Sequence, residues 1–181
     1  MAGCATTPPT GVREELDERT GVTVTSMQAP LEFYSQPPER GLEAASFAYL
    51  APLEINRMGK RDTYLWLSVV RAAEERSDAG EAPPGPPQLR ITMDGAHLEP
   101  EFVSAQAREL GLGETVYERP AHWVGESYYA VTSQQIAQMA AANALALELG
   151  NAGEETRRYD LAKMELAGLR AFSERIGVET P

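Results

Sequence analysis

His97-Leu-Glu-Pro-Glu101 is the stretch whose residue types and spacing come closest to chemistry. If it stays extended, His97, Glu99 and Glu101 project to one side, because alternate residues of a strand share a face. An imidazole with two carboxylates is a donor set for a divalent metal. Pro100 disturbs a ladder there, and Asp94-Gly95 just upstream already accounts for the polarity as a turn. A hydrolase built on a Ser-His-Asp triad would have only His97 and His122 to use, and would need one of them in a pocket beside a carboxylate and a serine. The chain has no Gly-rich phosphate loop, no His-Glu-x-x-His helix, no paired-thiol motif and no Gly-x-Ser-x-Gly elbow. No cofactor is expected. Aromatic residues supply the other candidate. Along Tyr64 to Val70, Leu65, Leu67 and Val69 lie on one face while Tyr64 and Trp66 lie on the opposite one. A strand apolar on both faces is either buried between layers or presents a binding surface, which Trp123, Tyr128 and Tyr129 would extend.

The single cysteine, Cys4, stands in Met1-Ala-Gly-Cys-Ala-Thr-Thr-Pro-Pro-Thr-Gly11, with no apolar periodicity around it and no second thiol to pair with. Small residues before a cleavage point are typical of exported proteins. Ala2-Gly3-Cys4 resembles the lipobox at the end of a bacterial lipoprotein signal. The charged and apolar parts of such a signal do not precede it, so Met1 is read as a late start. The resemblance implies that Cys4 becomes the mature N-terminus and carries acyl chains, and that the Thr/Pro stretch is a spacer. At about 0.8 kcal/mol per buried methylene, several acyl chains hold a protein on a bilayer essentially permanently. It also implies a periplasm-facing location; Ala5 rather than Asp after the cysteine is the form that permits transport to the outer membrane. An acylated Cys4 is removed from the possible nucleophiles.

Composition narrows the partners. A formal charge of −11 over 181 residues repels phosphate backbones and anionic headgroups, and no Lys/Arg cluster overrides it, so nucleic acid is not an expected partner. The 43% hydrophobic content supports a packed core, which a chain of this length can bury without a disulfide. No window reaches the roughly 18 apolar residues of a membrane-spanning helix.

The elements that would position these residues follow from period and punctuation. Residues 1–20 read as lipid-attachment site and flexible tether, with Val12 and Leu16 the only large apolar residues in a charged stretch from Gly11 to Thr20. From Gly21 the period becomes two: Val22, Val24 and Leu31 to Tyr34 predict two short strands or one bent one. Ala48–Asn56 and Arg61–Val70 flank Arg57-Met-Gly-Lys60 and predict a hairpin. Residues 72–88 hold four prolines in five positions from Pro83 to Pro87 and predict a mobile Pro/Gly/Glu-rich loop. Leu89 to Leu98 predicts a second hairpin turning at Asp94-Gly95. Pro100 to Gly111 suggests a short helix, and Tyr117–Pro120 and Glu126–Val131 suggest strands. Thr132-Ser-Gln-Gln135 has capping-box spacing and opens a helix through Ile136, Met139 and Ala140. Ala144–Leu149 alternates as a strand, and a last helix from Leu161 to Arg175 carries an apolar stripe of Leu161, Leu166, Leu169 and Phe172, ending at Ile176.

Many short strands in hairpins with late helices indicate an antiparallel α+β domain over 21–177. A β-sandwich or bent sheet, with a short helix and the C-terminal helix packed on it, is the expected form. The expected function is a non-enzymatic, lipid-anchored outer-membrane protein facing the periplasm, an accessory or assembly factor acting through contacts with an envelope protein. The alternative is a periplasmic module binding a small molecule or metal through His97, Glu99 and Glu101 or through the Trp66 aromatics. A hydrolase comes third.

Overall fold

Two tight turns organise the sheet. The computed structural model describes residues 11–35, 46–70, 86–121, 124–150, 156–163 and 165–177. In the first turn β4 (Ser46–Arg57) and β5 (Lys60–Val70) are joined by Met58 and Gly59 alone, with φ of 50° and 94°. In the second, β6 (Gln88–Met93) and β7 (Ala96–Leu98) are joined by Asp94 and Gly95, with φ of 48° and 89°. Two consecutive positive φ angles match the twist of the flanking strands, and glycine at the second position carries no steric penalty. Both turns are where the sequence put them.

The remaining strands are β1 (Val12–Asp17), β2 (Val22–Met27), β3 (Leu31–Ser35), β8 (Glu101–Ser104), β9 (Glu126–Val131), β10 (Leu145–Gly150) and β11 (Arg157–Leu161). Helices are α1 (Ser133–Ala141) and α2 (Ala167–Ile176). The fold is a sheet-dominated antiparallel α+β domain: the eleven strands form one sheet in the order β7-β6-β10-β11-β3-β4-β5-β9-β8, with β2 on β4 and β1 on β2. The two ends of that order, β7 and β8, are separated by only Glu99 and Pro100. Leu98 and Glu101 are therefore within about 11 Å of each other, and the sheet must curl like a half-barrel to bring its edges together. Tyr129 donates across the curl to the Pro87 carbonyl at 2.5 Å.

β4 is the strand on which the curl turns. On one edge it pairs with β5 throughout; on the other it pairs first with β3, up to Leu50, and then with β2, from Leu53. Pro52 sits at the split. In the β4–β5 register its nitrogen side faces the gap between β2 and β3, so its missing N–H costs no ladder bond.

Register assigns each side chain to a face. Leu31, Phe33, Leu50, Leu65, Leu67, Tyr129, Leu147, Ile91 and Tyr159 share the inner face, and all are buried. There they are joined in one core by Ile136 and Met139 of α1 and by Leu169, Phe172 and Ile176 of α2. The capping box of α1 is present as predicted, with Thr132 accepting from the Gln135 backbone N–H. The two helices pack together, and Arg170 of α2 donates to the Ala140 carbonyl at 3.0 Å.

Four expectations are corrected. The charged stretch after Gly11 is not tether: Val12–Asp17 is a strand paired residue for residue with β2. Its one apolar contact with the core is Val12, since Leu16 is exposed. Pro100–Gly111 is not a helix but β8 followed by a single 3-10 turn, Ala107–Leu110. Tyr117–Pro120 is irregular rather than a strand, because the Tyr117 side chain, not its backbone, completes the sheet (below). The last helix begins at Ala167, since Leu161 belongs to β11 and pairs with Phe33. The segment 71–85, which contains most of the predicted 72–88 loop, lies outside the described residues, and Gln88 already belongs to β6.

Candidate functional site

The outer face of β4, β5 and β9 carries Leu53, Ile55, Trp66 and Tyr128. Trp66 and Tyr128 are each 0% exposed, so they are core and not a binding surface. What covers them is the irregular segment 105–121, whose Ala107, Leu110, Leu112 and Tyr117 are buried in the same cluster. Such a segment lacks strand or helix partners, so its polar groups must be satisfied by side chains from the sheet. Glu126 accepts from Trp66 Nε1 at 3.0 Å, from the Thr115 hydroxyl at 2.6 Å and from the Ala107 N–H. Arg57 donates to the Leu110 carbonyl, Arg13 to the Val116 carbonyl, and the Asp17 carboxylate accepts from the Gly113 N–H. The Gly113 N–H, helped by the hydroxyl of Thr20 and the Arg19 N–H, holds the Asp17 carboxyl below its ordinary range.

Tyr117 makes the most consequential of these bonds. Its hydroxyl donates to the Pro52 carbonyl at 2.6 Å and accepts from the Met27 N–H at 3.0 Å. Those two groups flank the split between β2 and β3, so one side chain replaces the rung that the diverging strands cannot make. Its ring stacks obliquely on Trp66, with centroids 5.2 Å apart. Burial pushes the phenols of Tyr117, Tyr128 and Tyr129 far above their ordinary range, and the Tyr128 hydroxyl has no hydrogen-bond partner among the described residues.

Tyr64 is only half-buried and marks a different place. It rims a cleft of about 290 Å³ at the end of the sheet, where β4, β5 and β9 meet the first turn of α1 and the last of α2. Glu54, Arg61, Thr63, Thr132 and Ser133 supply its polar atoms, and Ile176 its apolar wall. Glu54 is buried, with an 8% exposed side chain, and the Arg61 guanidinium stands 3.9 Å from its Oε1. Arg61 also donates to the Ile176 carbonyl at 3.4 Å, tying the end of α2 to the sheet. Burial, then the neighbouring Asp62 carboxylate, raises the Tyr64 phenol. At about 290 Å³ the cleft lies at the lower edge of the range of ligand pockets, about 300 Å³ upward, which suits only a small molecule, one that offers both donors and acceptors.

Glu54 and Arg61 were not singled out from sequence. A signal existed: a two-residue hairpin closing Arg57 on Lys60 sets Glu54 opposite Thr63 and so diagonal to Arg61, and Glu54 interrupts an otherwise apolar run.

The His97 set does project to one side, but it does not converge. His97 and Glu99 sit near the β7 edge and Glu101 on β8, all three exposed. In extended chain the first and last are about 13 Å apart, whereas ligands to one ion lie within 2.0–2.6 Å of it. Glu99 is already bound by Arg90 at 2.7 Å, and His97 Nδ1 is 3.2 Å from the Thr92 hydroxyl. Among the described residues no group of three His, Cys, Asp or Glu is placed to hold a metal. Cys4, His122 and Trp123 lie outside the described residues.

No family model matches the chain, and no curated protein or solved structure matches it either. The site must therefore be read from its own geometry.

Proposed function

We propose that this is a non-enzymatic, lipid-anchored protein of the bacterial outer membrane, facing the periplasm and acting as an accessory or assembly factor through contacts with an envelope protein. The observation that carries the reading is the position of Cys4, after Ala2-Gly3 and before a Thr/Pro spacer that runs straight into the first strand of a curled-sheet domain. Only residues 5–11 separate the cysteine from β1, so an acylated Cys4 holds the domain within about 28 Å of the lipid. The domain then works at the membrane surface, where a net charge of −11 discourages lying flat on anionic lipid and favours a protein neighbour. Crosslinking in cells followed by purification of a tagged chain is expected to recover one discrete envelope protein. Recovery of the chain alone, with Cys4 acylated, overturns the contact role.

A second reading has one observation in its favour. The cleft between Glu54, Arg61 and Thr132 fits a small polar ligand of the periplasm. A ligand that binds the native state raises the melting temperature by mass action. A panel of small zwitterions and polyols in a thermal-shift assay decides it: a concentration-dependent rise abolished by Glu54→Gln supports binding, and a flat response removes it.

A further inference from the structure

β1 is an edge strand, hydrogen-bonded on one side to β2. The Gln28 N–H donates to the Gly11 carbonyl at 3.0 Å, which fixes the phase of that ladder. Residues 13, 15 and 17 therefore direct their backbone groups at β2, and those of Val12, Glu14 and Leu16 point away from it. No described residue hydrogen-bonds to these outward groups. Leu16 is 63% exposed, one of four exposed large apolar residues among those described. Unpaired edges of this kind are templates for strand addition.

We propose that the occupant is a second copy of this chain, joined through β1 in an antiparallel pair about a two-fold axis at Glu14. Hydrogen-bond direction allows only registers that set outward residues against outward residues. Of these, the one centred on Glu14 places Val12 opposite Leu16 of the second copy and Arg13 opposite its Glu15, each contact occurring twice. Each of these registers has one like-charged central pair, but sliding by two residues either way, onto Arg13 or Glu15, also takes Val12 away from Leu16, so the Glu14 register alone combines the apolar contacts with the Arg13–Glu15 ones. The central pair of Glu14 carboxylates is compensated within each chain, because Arg175 of α2 donates to Glu14. An isologous pairing of this kind closes as a dimer and extends the sheet without leaving a free β1 edge.

The pairing names a partner of its own and stands apart from the anchor. A chain that is monomeric yet crosslinks to an envelope protein overturns the pairing and leaves the proposed function intact. Sedimentation of the full chain is expected to give twice the 19.7 kDa of one copy. Glu14→Pro removes an outward N–H and no β1–β2 bond, and proline is tolerated on an edge; it is expected to weaken association about a hundredfold. Glu15→Arg, at an exposed residue, sets like charges opposite each other at both Arg13 contacts and is expected to weaken association about tenfold. It keeps the test valid if Glu14→Pro fails to fold, which circular dichroism reports. A monomer at about 100 μM, well above the range of a specific dimer, overturns the proposal. So does a dimer indifferent to both Glu14→Pro and Glu15→Arg.

Discussion

The two faces of β4 and β5 are both buried, but by different means. The inner face is filled by alternate residues of strands on either side of the curl and by two amphipathic helices, each contributing apolar side chains at its own period. The outer face is filled by a segment with no period at all, held in place by Glu126, Arg57, Asp17 and Tyr117. A core can thus be closed by pattern or by a few long-range hydrogen bonds. The first kind tolerates losing one polar contact; the second does not.

Truncating the inner face should have the largest effect. Phe33→Ala or Phe172→Ala, each at a fully buried position, is expected to cost about 3–5 kcal/mol in chemical denaturation. A loss below about 1 kcal/mol would show that the inner face is loosely packed.

On the outer face, removing one oxygen should matter more than its size suggests. Tyr117→Phe keeps the ring on Trp66 but leaves the Met27 N–H and the Pro52 carbonyl unpaired, so a loss of about 1–3 kcal/mol is expected. Hydrogen exchange should quicken at Met27 and through 105–117 while β10 stays protected. Uniform quickening would mean that the two faces do not behave as separate units.

Glu126→Gln sharpens the same contrast. It keeps one acceptor for three donors, so the covering segment should loosen before global stability falls by more than about 1–2 kcal/mol.

High pH tests the buried phenols. Tyr117, Tyr128 and Tyr129 have native values raised far above the ordinary 10.0, so their contribution is complete below pH 10 and is lost as the pH climbs from there toward the native values. Of the seven tyrosines, these three should ionise only as the protein unfolds, visible as a late step in the phenolate absorbance. The smallest effect belongs to acid. Asp17 and Asp94 are held below 3.8 by backbone N–H donors, those of Asn143 and Ala144 for Asp94. The support they give is present above the ordinary value and lost as the pH falls through the native ones. Because Asp94 is exposed, Asp94→Asn should barely change stability at neutral pH.

The same division decides how much could be read in advance. Both hairpins, the α1 capping box and the alternating Leu145, Leu147 and Leu149 declare themselves locally, through positive-φ turn residues, a fixed i to i+3 spacing and a period of two. β1 does not, because a half-covered edge strand of charged residues resembles a solvated linker until its partner β2 is in place. The covering segment is less legible still: nothing near Tyr117 indicates that its hydroxyl will bridge two strands whose bonding atoms are 65 and 90 residues away in sequence. Trp66 was ambiguous for that reason, since its cover has no sequence period. The His97 set failed on distance: extended spacing aligns side chains without bringing them together.

Anchoring at Cys4 is tested most directly by the intact mass of the chain expressed with a native leader and recovered from cell fractions. The mature chain is expected to begin at Cys4, to carry the diacylglyceryl and acyl additions of a lipoprotein, and to sit in the outer-membrane fraction. A soluble chain with an unmodified Cys4 thiol would contradict the proposed function.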